Sequence, residues 1–220
     1  MKHIIKTNAV TFALLVLLSA CGTDPMVRGP MPWDCDKVSP PDDARPDVFV
    51  IGDSISSNYV PYIRQALPAY DVLEAPCNGG NTRFGIHRIN DWLAARSRFD
   101  VITFNHGMWD VSDNGMYVPI EEYKENLRYI AGVIKTKTDH PYFVLTTYTP
   151  SNQKLRSNHM VVAYNAAATE VMGDLAIPVI DLYTPSIGFE RINHTVGDDV
   201  HYTEQGGYDL AQIILPVIGL

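Results

Sequence analysis

The sequence of 220 residues predicts an α/β domain in which a parallel sheet of five strands lies between two layers of helices. Three observations lead to this prediction. Short apolar runs alternate with longer segments of helical character through most of the chain. These runs are almost continuously apolar, which is typical of strands that helices cover on both faces. Strand–helix alternation within one domain also favours a parallel sheet with right-handed crossovers.

Five segments have the character of buried strands, and in chain order they are Asp47–Ile51, Asp71–Ala75, Asp100–Asn105, Tyr142–Tyr148 and Ile177–Leu182. The segments between and after them predict helices at Tyr59–Leu67, Gly85–Arg98, Ile120–Thr136, Asn158–Leu175 and Gly206–Val217. The clearest helical spacing is at Ile120–Thr136, where apolar residues recur every three or four positions and form one face.

The first twenty residues have the pattern of an export signal. Lys2 and Lys6 precede an apolar stretch, Ala9–Leu18, that is too short to span a bilayer. The run Leu18–Cys21 resembles a lipobox, which predicts cleavage before Cys21 and acylation of that residue. The alternative is an ordinary signal peptide followed by an unrelated cysteine. Gly22 follows the cysteine, and in a Gram-negative source this favours the outer membrane.

Residues 21–45 are rich in Pro, Asp and Gly and predict a tether, because such a segment buries too little apolar surface to order itself. Residues 46–220 then form one domain. Two cysteines remain after processing and acylation, Cys35 in the tether and Cys77 in the domain. An exported pair permits a disulfide, but the sequence alone leaves open whether their α-carbons lie close enough.

The net charge argues against two classes of partner. It is −8 for the whole chain, and loss of residues 1–20 takes it to −10, because that segment contains Lys2 and Lys6 and no acidic residue. Nucleic acids and anionic membrane surfaces both favour an excess of Lys and Arg. The sequence contains neither a phosphate-binding loop motif nor a dinucleotide fingerprint, and no cofactor is expected.

A Gly-Asp-Ser triplet ending at Ser54 directly follows the first predicted strand, and an Asp-x-x-His pair, Asp198 and His201, precedes the last predicted helix. Together they can supply a nucleophile, a base and a carboxylate that orients the base. The alternative for Ser54 is a capping or turn serine. Since ligands collect at the carboxyl ends of parallel strands, Ser54 and the loops after the second and third strands are expected to share one crevice.

These motifs resemble the four sequence blocks of the SGNH (GDSL-type) hydrolase superfamily, from about residue 47 to the C-terminus. The first block surrounds Ser54, and the fourth begins at Asp198 and includes His201. The resemblance implies a flavodoxin-like, three-layer α/β/α fold. It also implies that Ser54 is the nucleophile, that His201 is the base and that Asp198 orients the imidazole, with Asp199 as the rival for the last role.

The resemblance further implies an oxyanion hole. The expected donors are the backbone N–H groups of Ser54 and Gly80, with Gly79 as the rival glycine. The family's third donor is the Asn of a Gly-x-Asn-Asp block, but Trp109 stands at that position here. Its indole N–H is an alternative donor, with a reach and geometry that differ from those of an amide. Asn105, at the end of the third predicted strand, is the predicted replacement. Otherwise the hole relies on the two backbone N–H groups alone.

Two further residues of the predicted crevice, His106 and Trp109, are candidates for lining the substrate site. The alternative for His106 is a structural histidine at a strand end, and the alternative for Trp109 is ordinary packing. No metal is predicted, because the group of His194, Asp198, Asp199 and His201 lacks an established metal-ligand spacing.

The sequence therefore predicts an exported, lipid-anchored serine esterase whose substrate is a small-molecule or glycan acyl ester. No long apolar lid segment is evident, which favours short acyl groups such as acetyl on a glycan. Two alternatives stay open, since a fold does not choose among chemistries. One is a glycan-binding lipoprotein that kept the fold without turnover, and the other is an O-acyltransferase.

Overall fold

A computed structural model describes residues 44–112, 115–150, 157–189, 198 and 200–219. Its sheet consists of β1 (Asp47–Ile51), β2 (Asp71–Glu74), β3 (Val101–Phe104), β4 (Pro141–Val144) and β5 (Val179–Ile180). All the strand pairs are parallel, and the spatial order is β2-β1-β3-β4-β5. This is the order of flavodoxin-like folds, so the predicted fold class is confirmed.

The described helices are α1 (Ser56–Ala66), α2 (Thr82–Trp92), α3 (Ile120–Lys135), α4 (Asn158–Asp174), α5 (Tyr183–Ile187) and α6 (Glu204–Ile218). Helices α1 and α6 pack on each other, while α3 contacts both α2 and α4. Every residue of β1 and β3 is buried, which places the core along the central strands. Within the described ranges, no helix has both the length and the apolar character needed to cross a membrane.

Four predicted strands are longer than the observed ones, β2 by one residue at its end, β3 by one residue at each end, and β4 and β5 by more. The prediction that β4 continues to Tyr148 is wrong. The Leu145 N–H still bonds to the Ile180 carbonyl of β5, but from Thr146 onwards backbone N–H groups bond to side chains of the helical layer. The Thr146 N–H donates to Asn165 Oδ1 at 3.0 Å, and the Tyr148 N–H donates to Ser186 Oγ at 2.8 Å. The predicted β5 begins too early, because the Ile177 N–H still bonds to a carbonyl at the end of α4.

Two helices begin three residues before their predicted start. Helix α1 starts at Ser56 rather than Tyr59, because the Asp53 carbonyl accepts the Ser56 N–H at 3.0 Å. Helix α2 starts at Thr82 rather than Gly85. There Asn81 supplies the N-cap, with its Oδ1 accepting from the Phe84 N–H at 3.0 Å.

A buried ion pair holds the N-terminal ends of the central strands. Arg96 Nη1 lies 2.6 Å from Asp47 Oδ2, and the Asp47 side chain is fully buried. The Asp47 and Asp100 N–H groups each donate to the other residue's carboxylate, at 2.9 and 2.8 Å. Burial raises the pKa of Asp47, against the opposing effects of the Asp100 N–H and the Arg96 charge. These contacts lie at the edge of the sheet opposite to the carboxyl ends of the strands, where a functional site is expected.

Candidate active site

The turn after β1 presents Ser54 at the carboxyl edge of the sheet. Asp53 is buried, and its Oδ1 accepts from the Ile55 N–H at 2.9 Å. Its carbonyl oxygen accepts from the Ser56 hydroxyl at 2.7 Å, so the chain passes from strand to helix within four residues. A Cβ on Gly52 would lie 2.7 Å from Ser56 Cβ, which explains why a glycine stands before Asp53.

Residues far apart in sequence meet at Ser54. His201 Nε2 lies 2.6 Å from Ser54 Oγ, across a separation of 147 residues. His201 Nδ1 lies 2.5 Å from Asp198 Oδ2. The other carboxylate oxygen, Asp198 Oδ1, accepts from the Val200 and His201 N–H groups, each at 2.9 Å. The structure therefore joins the three side chains that the sequence singled out in one hydrogen-bonded chain.

The positions of the protons in this series of hydrogen bonds follow from which atoms can only accept. Partial burial raises the pKa of Asp198, but the hydrogen bonds from the His201 side chain and from the two backbone N–H groups outweigh it. They lower the pKa to about 2. The carboxylate is therefore ionised and only accepts, so His201 carries its proton on Nδ1. His201 Nε2 is then an acceptor, and the Ser54 hydroxyl donates to it.

The loop after β2 lies directly against the Ser54 turn. The Gly79 N–H donates to the Gly52 carbonyl at 2.8 Å, so Gly79 is committed to the backbone. Gly80 has φ +58°, in the left-handed region that favours glycine, and its N–H donates to Asn78 Oδ1 at 2.9 Å. The N–H of the predicted donor Gly80 is thus held by a side chain, while the N–H of its rival Gly79 is held by the main chain.

Three contacts tie the Gly80 loop to the segment after β3. His106 Nδ1 lies 3.3 Å from the Gly80 carbonyl. Asp110 Oδ1 accepts from both the N–H and the hydroxyl of Thr82, at 2.9 and 2.6 Å. Asn81 Nδ2 donates to the Met116 carbonyl at 2.8 Å. The position of Gly80 therefore depends on residues about 25 to 35 positions further along the chain.

His106 has the environment of a structural histidine. It is buried, and burial lowers its pKa to about 4 although the bond to Gly80 opposes the shift. A carbonyl can only accept, so the neutral ring carries its proton on Nδ1. A Cβ on Gly85 would lie 2.9 Å from His106 Nε2, so this edge of the ring faces α2. The role of His106 in lining a substrate site stays a prediction.

The structure places the other two side chains of this region as follows. Asn105 is buried, and its Nδ2 donates to the Val144 carbonyl at 2.7 Å, which ties the end of β3 to the end of β4. This bond uses one of the two N–H groups of the amide that the sequence assigned to the oxyanion. Trp109 is half-buried, and its carbonyl accepts from the Ser112 N–H. The predicted catalytic role of Asn105 and the substrate-lining role of Trp109 are not tested by these contacts.

Four residues named in the sequence predictions, Cys21, Cys35, His194 and Asp199, lie outside the described residues. Cys77 is disulfide-bonded. Its pairing with Cys35 stays a prediction, as do acylation of Cys21 and the rival role of Asp199.

A cavity of about 360 Å³ opens beside Ser54. Its polar lining residues include Ser54, Ser57, Glu74 and Asn78. Such a volume is at the lower end of the range for small-molecule sites. The sequence analysis placed the loop that contains Asn78 in this crevice but gave Asn78 no role, and it did not point to Glu74, which lies in β2.

Solved structures with this architecture share one hydrolase fold. A lipase/acylhydrolase from Enterococcus faecalis matches with a TM-score of 0.69 and 20% identity, covering 79% of this chain and 95% of its own. An acetylxylan esterase from Geobacillus stearothermophilus matches with a TM-score of 0.68 and 17% identity, covering 83% and 97%. The chain has the fold of the SGNH (GDSL-type) hydrolases. The predicted resemblance is therefore confirmed at the level of the fold.

A GDSL-like lipase from Bacteroides thetaiotaomicron has the same SGNH fold, with a TM-score of 0.65, 19% identity and coverage of 82% of this chain and 91% of its own. No protein-family model matches the sequence, and no curated protein matches it significantly. The solved SGNH hydrolases thus establish how the chain folds, and the chemistry has to be argued from the site.

Proposed function

We propose that this chain is a serine ester hydrolase that forms an acyl-enzyme on Ser54. The observation that carries the proposal is the series of hydrogen bonds from the Ser54 hydroxyl through His201 to Asp198, with distances of 2.6 and 2.5 Å. These are the distances at which a base can take a proton from a nucleophile while a carboxylate orients the base.

In the proposed reaction, the Ser54 oxygen attacks the ester carbonyl carbon while its proton moves to His201 Nε2. The carbonyl π electrons move to the oxygen, which becomes an oxyanion. Collapse of this intermediate breaks the bond to the alcohol, which leaves with the proton from His201. Water then adds to the acyl carbon with His201 as base, and the acid is released as the Ser54 hydroxyl is restored.

The proposed substrate is a short acyl ester, such as acetyl, on a carbohydrate. A cavity of about 360 Å³ with polar lining suits a small acyl group and a hydroxyl-rich alcohol better than a long chain. The similar structure from Geobacillus stearothermophilus is that of an acetylxylan esterase, which supports the same substrate class for this chain. A binding protein without turnover would have no need of a serine hydroxyl that donates to an oriented histidine, so the esterase is preferred.

Hydrolysis of p-nitrophenyl acetate by the full chain, purified in detergent, tests this proposal. We expect Ser54→Ala to lower kcat by about 10⁴-fold or more, because the nucleophile is lost. Ser97→Ala is the matched control, since Ser97 is exposed in the loop before β3. Equal background rates for the wild type and Ser54→Ala would contradict the proposal. Faster cleavage of decanoate than of acetate esters would contradict the short-acyl assignment alone.

We also propose that the enzyme is exported and anchored by lipid on Cys21, with residues 22–45 as its tether. The support for this part lies in the sequence of residues 1–21.

A further inference from the structure

The side-chain amide that the GDSL-type pattern places in the oxyanion hole is not at its usual position in this chain. Trp109 occupies the position where that pattern has Asn. Asn105 Nδ2 donates to the Val144 carbonyl at 2.7 Å, and this bond uses one of the two N–H groups of the Asn105 amide. The loop after β2 offers a further side-chain amide beside the Ser54 turn, that of Asn78.

Asn78 is the candidate for this further donor. It lines the same cavity as Ser54. The next residue along, Gly79, donates to the Gly52 carbonyl at 2.8 Å, and this bond holds the Asn78 loop against the Ser54 turn. The preceding residue, Cys77, is disulfide-bonded and lines the same cavity.

The Gly80 N–H fixes which end of the Asn78 amide faces Gly80. An N–H can only donate, so the atom 2.9 Å from it is the acceptor Oδ1. The donor Nδ2 is therefore directed away from Gly80, and within the described part of the chain no acceptor pairs with it. Acceptance at Oδ1 also polarises the amide, so its N–H groups become better donors.

We propose that Asn78 Nδ2 donates to the substrate carbonyl oxygen and to the oxyanion that forms from it. In this arrangement Asn78 supplies the amide that Trp109 cannot, and Gly80 acts by orienting Asn78. The inference rests on the proposed esterase function. It changes the role of Gly80, whose N–H the sequence resemblance assigned to the oxyanion directly.

The two arrangements predict opposite effects of removing the Asn78 side chain. If Asn78 is the donor, its loss removes a contact made mainly in the transition state, and kcat falls by about 10²–10³-fold while KM changes little. If Gly80 is the donor, loss of Asn78 frees the Gly80 N–H, and kcat stays the same or rises.

The experiment measures kcat and KM for p-nitrophenyl acetate with the full chain in detergent, using wild type, Asn78→Ala, Asn78→Asp and Asn90→Ala. Asn78→Asp keeps an oxygen that accepts from the Gly80 N–H but loses the Nδ2 donor. This variant therefore tests the proposal if Asn78→Ala does not fold. Asn90 is an exposed residue of α2 that contacts Tyr129, and it serves as the matched Asn→Ala control.

We expect both Asn78 variants to lose about 10²–10³-fold in kcat with KM within a few-fold, and Asn90→Ala to match the wild type. An unchanged or higher kcat in Asn78→Ala would overturn the proposal in favour of Gly80. A raised KM with an unchanged kcat would also overturn it, because Asn78 would then bind only the ground state. A wild type without Ser54-dependent hydrolysis would overturn the proposed function, and this inference with it.

Discussion

At the residue scale, the Ser54 site depends on a carboxylate that stays ionised. Asp198 has a pKa of about 2 because three hydrogen-bond donors outweigh the effect of its partial burial. Its folded pKa lies below the usual 3.8, so its contribution to stability is present above pH 4 and is lost as pH falls towards 2. The orientation of His201 is therefore maintained from mildly acidic to alkaline pH.

Asp110 is the opposite case, a carboxyl group that the fold keeps partly protonated near neutrality. Burial raises its pKa to about 7, although the hydroxyl and the N–H of Thr82 oppose the shift, and the charge of Asp53 adds to it. Among the described residues, no group donates to Asp110 Oδ2. Ionising this oxygen therefore leaves a charge with little solvation in the protein interior.

We predict a pH-dependent stability difference between wild type and Asp110→Asn. Between pH 4 and pH 7 the folded wild type binds more protons at Asp110 than the unfolded chain, so its stability falls as pH rises. Asparagine does not titrate, so the free energy of unfolding of the variant rises relative to that of the wild type by on the order of a few kcal/mol across that range. Urea unfolding at several pH values measures the difference.

The matched control for this prediction is Asp139→Asn, whose side chain is 83% exposed beside Arg98. We expect the stability difference between wild type and Asp139→Asn to change little with pH. A flat profile for Asp110→Asn as well would show that Asp110 is ionised in the folded protein, against the prediction.

At the scale of elements, the packing of α1 on α6 connects the two ends of the proposed triad. A Cβ on Gly207 of α6 would lie 2.1 Å from the Asn58 carbonyl of α1, so these helices approach as closely as a glycine allows. Asn58 Oδ1 also accepts from the Tyr202 N–H at 3.1 Å, next to His201. Ser54 precedes α1 and His201 precedes α6, so the helix contact sets the distance between Ser54 and His201.

Gly207→Ala is therefore expected to lower both stability and activity. The added methyl group forces α6 away from α1, at a cost of about 1–3 kcal/mol or more, and moves His201 away from Ser54. Urea unfolding and the kcat for p-nitrophenyl acetate measure the two effects.

Gly173→Ala in α4 is the matched control for this change, since no atom lies within 4 Å of its added Cβ. That variant is expected to be stabilised by up to about 1 kcal/mol, because alanine favours a helix over glycine. If Gly207→Ala were as stable and as active as Gly173→Ala, the close helix contact would not position the triad.

At the scale of the whole molecule, the sheet separates the contacts that hold the strands from those that carry the proposed chemistry. The Arg96–Asp47 ion pair lies at the N-terminal ends of the central strands, while Ser54 follows the carboxyl end of β1. Loss of one partner of such a buried pair typically lowers the free energy of unfolding by about 3–5 kcal/mol. The N-terminal ends of the strands therefore contribute to stability, at the edge of the sheet away from Ser54.

The proposed lipid anchor leads to a prediction for the full chain. In a bacterial host, the wild type is expected in the membrane fraction, with intact mass showing cleavage before Cys21 and added acyl chains. Cys21→Ser removes the acylated thiol, so the variant is not processed in this way. Cys35→Ser is the matched control and is expected to fractionate as the wild type. An unmodified Cys21 in the wild type would contradict the prediction.

Much of the fold was predictable because its signals are local. The strand bounds of β1 are those that the apolar run predicts, and α3 and α4 each differ by one residue at the C-terminal end. The ends of β4 and the starts of α1 and α2 were not predictable in this way. They depend on which side chain accepts or donates at each boundary, such as Asn165 for the Thr146 N–H and Asn81 for the Phe84 N–H.

The fold class and the candidates Ser54, Asp198 and His201 could be read from the sequence, because apolar runs and short motifs carry that information locally. The hydrogen bonds that the side-chain amides make follow from the three-dimensional structure. Asn105 donates to the Val144 carbonyl, 39 residues away, and Asn78 is oriented by the Gly80 N–H. Hydrogen-bond partners of this kind are set by how strands and loops meet in space, and the type of a residue does not reveal them.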